Sequence, residues 1–109
     1  MIPAIAQRLL DEASALNDAT ITPQGFRQSG CIDTVHTMEW SDGVSSGEVV
    51  IEAADRETDA AADWAIIATV PYDGTARVMT PIHGAYRAFK HRISQPVTDG
   101  TVTSRIAGS

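Results

Sequence analysis

Three histidines, one cysteine and an acidic run are the residues of this 109-residue chain that could carry chemistry. His36, His83 and His91 could ligate a metal or move protons, but no two stand at a ligand-like spacing. A folded sheet can gather distant histidines; one strand histidine and two surface histidines are expected here, and no metal site. Cys31 is alone, so it forms no internal disulfide, and without a surrounding motif it reads as a small buried hydrophobe rather than a nucleophile. Asp55, Glu57, Asp59 and Asp63 space carboxylates along one loop, as calcium ligands are spaced. Their order does not follow the EF-hand, and Arg56 interrupts them, so a solvated acidic tip is expected. No phosphate-binding glycine loop, nucleophile elbow or zinc-protease motif is present. The expectation is a protein without catalytic residues and without a cofactor. Trp40, Trp64 and Tyr72 could stack on sugars if exposed. Both tryptophans alternate in phase with apolar neighbours, which predicts a core position instead.

The elements that must position these residues are mostly short strands. Residues 47–53 alternate Val49, Ile51 and Ala53 with Glu48 and Glu52, the pattern of a half-buried strand. Residues 64–70 alternate Trp64, Ile66, Ala68 and Val70 and stop at Pro71. In residues 31–40, Ile32, Met38 and Trp40 share a strand face, with Thr34 and His36 between them. Residues 19–22, 75–80 and 101–106 are further β-prone runs, and Asp99-Gly100 is a turn signal. Residues 85–93 fit a helix or a strand; strand is preferred because its neighbours are strands. The predicted core includes Trp40, Ile51, Trp64, Ile66 and Val102.

The N-terminus reads differently. Ile5, Leu9, Ala13 and Leu16 recur at helical spacing, and Pro3 suits a first helical turn. The spacing predicts a short α-helix within residues 1–18, followed by a domain over residues 19–109. The fold class expected is mainly β, an antiparallel β-sandwich, jelly-roll-like or immunoglobulin-like, with a short N-terminal α-helix. A helix of three to four turns does not persist alone, so its apolar face must pack on its own domain or on a neighbour.

Charge narrows the partners. Residues 1–64 hold 3 Lys/Arg and 12 Asp/Glu, a balance of −9; residues 65–109 hold 5 and 2, a balance of +3, for a net −6. An acidic chain is a poor match for phosphate backbones, so no nucleic-acid partner is expected. No apolar run approaches the ~20 residues of a membrane span, and residues 1–5 lack the basic start of a signal peptide. Synthesis in the cytosol is the expectation.

Gly47-Glu48-Val49-Val50-Ile51-Glu52-Ala53-Ala54-Asp55, the acidic loop and Trp64-Ala65-Ile66-Ile67-Ala68-Thr69-Val70 resemble small structural proteins of tailed bacteriophages. So do Ala88-Phe89-Lys90-His91-Arg92-Ile93-Ser94 and Gly100-Thr101-Val102-Thr103, bringing the similar region to roughly residues 31–107. The resemblance implies a β-sandwich located in the virion, non-enzymatic, without a cofactor. The function expected is a capsid decoration, cement or accessory protein acting through protein–protein contacts. Its partners would be other virion proteins, the major capsid protein among them, and further copies of itself in a homo-oligomer. The candidate interface is Ile2, Ile5 and Leu9 with the basic strand Arg87, Lys90 and Arg92. The alternative is a carbohydrate-binding module of a tail fibre or receptor-binding protein.

Overall fold

Strict alternation in the central strands produces two sheets that bury one face each against the other. The computed structural model describes residues 5–23, 33–56, 58 and 60–108. Its strands are β1 (Ile5–Arg8), β2 (Ala19–Ile21), β3 (Asp33–Trp40), β4 (Ser46–Ala54), β5 (Ala65–Pro71), β6 (Arg77–His83), β7 (Ala88–Thr98) and β8 (Val102–Gly108). One sheet runs β1-β8-β3-β6 and the other β2-β7-β4-β5, with every pairing antiparallel. The chain changes sheet at every connection except β4 to β5. That order is the double Greek key of a jelly roll rather than an immunoglobulin-like sandwich.

The core lies between the sheets. Met38, Val49, Ile51, Phe89, Ile93, Val102 and Ile106 are fully buried there, with Trp40 and Leu10 nearly so. Trp40 meets Tyr72 edge to face with ring centroids 5.4 Å apart. Gly47 lies beneath this tryptophan: a Cβ there would come within 3.0 Å of the indole and 3.1 Å of Val97. Gly100 is fixed by a similar approach, since a Cβ would stand 2.4 Å from Ser41 Oγ. The turn read at Asp99-Gly100 is present, with Asp99 at a φ of 64°.

The expected N-terminal helix is replaced by strand and crossover. β1 pairs with β8, β2 pairs with β7, and residues 9–18 pass from one sheet to the other along the outer edges of β8 and β7. Along this passage the backbone bonds to both strands. Leu9 N–H donates to Ser104 O, Ala13 and Val102 exchange two bonds, and Val97 N–H donates to Ser14 O. Asn17 N–H then donates to Ile93 O and Ile93 N–H to Asp18 O. Glu12 (φ 46°) and Asn17 (φ 69°) adopt left-handed backbone that no α-helix contains. The physical reason is the demand of β7 and β8, whose outer edges need partners that a self-satisfied helix cannot supply.

One predicted core residue is also reassigned. Ile66 is 54% exposed, whereas Trp40, Ile51 and Val102 are buried and Trp64 is buried in a small separate cluster with Ala54 and Ala88. A bulge causes this: Ile51 lies opposite Ala68 but Glu52 lies opposite Ile66, so Ile67 is the extra residue. Ile67 and Ala68 pack on the core and Ile66 turns outward. Residues 85–93 contribute to a strand, with Phe89 and Ile93 inward and Lys90 and Arg92 outward.

Candidate functional site

The residues with reactive side chains form a chain of hydrogen bonds inside the sandwich. β3 places Thr34 and His36 on its inner face, β7 places His91, and β8 places Ser104; all four are at most 2% exposed. His36 Nδ1 lies 2.8 Å from His91 Nε2, His91 Nδ1 lies 2.7 Å from Ser104 Oγ, and His36 Nε2 lies 2.9 Å from Thr34 Oγ1. Leu10 N–H donates to Ser104 Oγ at 2.9 Å, and Thr34 Oγ1 donates to the Ile82 carbonyl at 3.4 Å. One proton order uses every one of these contacts. Ser104 O–H donates to His91 Nδ1, His91 Nε2–H donates to His36 Nδ1, and His36 Nε2–H donates to Thr34 Oγ1. Both imidazoles are then neutral, each as the Nε2–H tautomer.

A proton added at His36 Nδ1 would set its N–H against the Nε2–H of His91. Burial accordingly lowers the His91 pKa to about 3, and the neighbouring His36 acts in the same direction. The chain thus ties β3 to β7 across the sandwich and holds the 9–18 crossover through Leu10. It has no surface on which a substrate could rest. Two surface histidines were expected and only His83 is one; it bonds Asp33 at 2.6 Å. His91 is interior, because Phe89, His91 and Ile93 share the inward phase of β7. The same phase, with Met38 and Trp40, was the signal for His36.

Among the described residues no group of three or more His, Cys, Asp or Glu converges on a point. Cys31, Glu57 and Asp59 lie outside the described residues. Asp63 accepts from the Thr58 hydroxyl at 2.9 Å, a bond internal to the loop.

The indoles present no open face for sugar stacking. Trp40 is 4% exposed, and the Trp64 ring is covered by Lys90, whose Nζ lies 4.8 Å from the ring centroid. Lys90 and Arg92 meet at Glu52 on the outer face of the β2-β7-β4-β5 sheet, at 3.4 and 3.0 Å. Arg92 also donates to Asn17 Oδ1 at 3.3 Å. Arg87 is exposed, and its backbone N–H bonds Ala54 O. Leu9 belongs to the core and Ile5 opens β1 opposite Gly108; Ile2 lies outside the described residues. The described candidates are therefore spread over the interior (Leu9), the first sheet (Ile5) and the second sheet, with only Lys90 and Arg92 brought together.

A surface feature missed in the sequence lies on the first sheet. Thr34, His36, Met38 and Trp40 point inward, so Val35, Thr37 and Glu39 point out, together with their register partners on β6 and β8. An open groove of about 370 Å³ is lined by Arg8, Asp11, Glu12, Glu39, Thr103 and Arg105, among others. Arg105 is ion-paired with Glu39, and Arg8 with Asp11 at 3.5 Å. Beside the groove, Met79 is 57% exposed and Pro81 and Ala107 are exposed.

No family model matches the sequence, and no curated protein sequence does. Solved structures share the architecture, among them the following two. The K2 cleaved adhesin domain of Lys-gingipain superposes with a TM-score of 0.65 at 9% identity, over 84% of this chain and 62% of that one. This chain therefore spans less than two thirds of that domain. The SPBc2 prophage-derived protein YomS superposes with a TM-score of 0.60 at 10% identity, over 98% of this chain and 94% of that one. The likeness is one of fold.

Proposed function

We propose that this protein is a non-enzymatic structural component of a bacteriophage particle, a decoration, cement or accessory protein that acts through protein–protein contacts. The observation that carries the reading is the end-to-end match of its jelly roll to a prophage-derived protein, with little of either chain left over. The organisation of the polar groups supports it. The two best-placed catalytic side chains, His36 and His91, are locked as neutral partners between the sheets, where they stabilise rather than react. The accessible charges sit on broad sheet faces, which suit contact with another protein. As a virion component the chain is made in the host cytoplasm and joins the particle with partners such as the major capsid protein.

Particles purified on a density gradient from the strain that encodes the chain test this directly. Antiserum raised against the chain should detect it at a fixed ratio to the major capsid protein and label particles by immunogold. Particles devoid of the chain, with all of it left in the soluble fraction, would falsify the reading. The carbohydrate-binding alternative retains one supporting observation, the groove whose arginines, carboxylates and threonines could bond sugar hydroxyls. Binding on a glycan array that is lost in Arg105→Ala would favour it.

A further inference from the structure

Three aspartates of this chain are followed by glycine, and each pair lies in a connection between strands: Asp42-Gly43, Asp73-Gly74 and Asp99-Gly100. Glycine has no Cβ, so its amide nitrogen is the least shielded from the carboxyl of the residue before it. The reaction open to such a pair is ring closure. The glycine nitrogen bonds to the aspartate Cγ; the amide gives up its proton and the carboxylic acid its hydroxyl, and the two leave as water. Water then opens the succinimide at either carbonyl. Opening on the backbone side leaves an isoaspartate, whose main chain runs through the side-chain CH2. Only water leaves and only water returns.

Ring closure needs a neutral carboxyl that is free to swing toward the nitrogen. Hydrogen bonds donated to a carboxylate oppose both, because they favour its charged form and fix its direction. The fold separates the three pairs on this point. Asp73 Oδ1 accepts the Thr75 N–H at 2.9 Å, and that bond holds the Asp73 pKa below its ordinary value. Asp99 Oδ2 accepts the Ser45 hydroxyl at 2.6 Å, and Gly100 is packed so closely that a Cβ would stand 2.4 Å from Ser41 and 2.6 Å from Val44. Asp42 has no such tether. Its carboxyl makes no hydrogen bond or ion pair among the described residues, and Asp42 and Gly43 are both exposed. The turn that holds them is closed by Val44 N–H donating to Ser41 O at 3.4 Å, with Gly43 at a φ of 90°. The Gly43 N–H is left without a partner among the described residues, so nitrogen and carboxyl stand side by side in solvent.

We infer that Asp42-Gly43 is a modification site, the one of the three pairs at which the folded chain closes a succinimide and rearranges to isoaspartate. The consequence falls on the sandwich. Ser41 N–H donates to Thr101 O, Ser41 Oγ accepts from Thr101 N–H, and Val44 belongs to the core. An isoaspartate lengthens the main chain between these two anchors, beside the end of β3 and the start of β8.

The wild-type chain, kept in heavy-oxygen water at near-neutral pH and physiological temperature, tests the inference. Each passage through the succinimide places one heavy oxygen in the aspartyl or isoaspartyl product. Digestion in ordinary water and tandem mass spectrometry then locate the label. In the folded chain the Asp42 peptide should gain label several-fold faster than the Asp73 and Asp99 peptides, and an isoaspartyl form of it should separate on chromatography. In urea, where the tethers are gone, the three should label at similar rates. Asp42→Glu should lose the label at this position, since its longer side chain closes no succinimide. A folded chain with no label at Asp42, or with as much at Asp73 or Asp99, overturns the inference. An equal preference for Asp42 in urea also overturns it, because the tethers would then decide nothing.

Discussion

At the scale of the residue, the deciding feature is a pair of histidines in an apolar interior. The His91 imidazole is kept neutral because burial penalises its charged form and because both its ring nitrogens are engaged. His91 has a folded pKa of about 3 against an ordinary 6.5. Between those values the unfolded chain binds a proton that the folded chain does not. Stability is therefore fully present above pH 6.5 and falls as the pH drops toward 3, by up to ~1.4 kcal/mol per pH unit from this group. Urea denaturation across that window should show this slope, and His91→Gln should flatten it by one proton while lowering stability at neutral pH. A midpoint that does not change with pH in the wild type would place His91 in a solvated setting.

The element that matters most is the segment before β2. Residues 9–18 bury Leu9 and Leu10 and provide backbone partners for the outer edges of β7 and β8. Leu10 also anchors the histidine chain through its N–H. Deleting residues 1–17 therefore removes β1 from the first sheet, the crossover bonds to β7 and β8, and Leu9 and Leu10 from the core. The truncated chain should show no cooperative thermal transition and a far-ultraviolet spectrum of unfolded protein. A truncated chain that melts cooperatively would make this segment an appendage rather than part of the sandwich. The β5 bulge works at the same scale with the opposite consequence. By inserting Ile67 it leaves the inward run Ala68–Val70 in phase while turning Ile66 to solvent, so an apolar strand presents one exposed apolar side chain.

For the whole molecule, stability comes from two sheets closed over one apolar core and tied by a neutral polar chain. Among the described carboxylates, Glu52 is paired with Lys90 and Arg92, Glu39 with Arg105, and Asp33 with His83. Thermal unfolding should be the same with and without a chelator. A drop in the melting temperature that calcium restores would direct attention to Asp55, Glu57, Asp59 and Asp63. The acidic first part and the basic second part of the chain are interleaved by the jelly roll, so the opposite charges meet as pairs across strands, as Glu52 does with the cations of β7.

The strands over residues 47–53 and 64–70, the Asp99-Gly100 turn and the buried positions of Trp40, Ile51 and Val102 could be read directly from the sequence. Period-two alternation and turn chemistry are local signals, and a two-layer β protein follows from them. What the sequence could not decide is where non-local backbone groups find partners. Ile5, Leu9, Ala13 and Leu16 fit a helix because spacing records only which side chains are apolar. It does not record that β7 and β8 have open edges in need of hydrogen bonds. Ile66 looked like core because a bulge leaves no mark in the alternation on either side of it. His36 and His91 stand 55 positions apart and in different sheets, so no spacing rule could join them. From the sequence His91 is expected on the surface, although it shares the inward phase of Phe89 and Ile93, and only the packing of β3 over β7 made each histidine the other's hydrogen-bond partner. The exposed face around Met79 was decided the same way, since exposure depends on what the fold leaves uncovered and not on the residue itself.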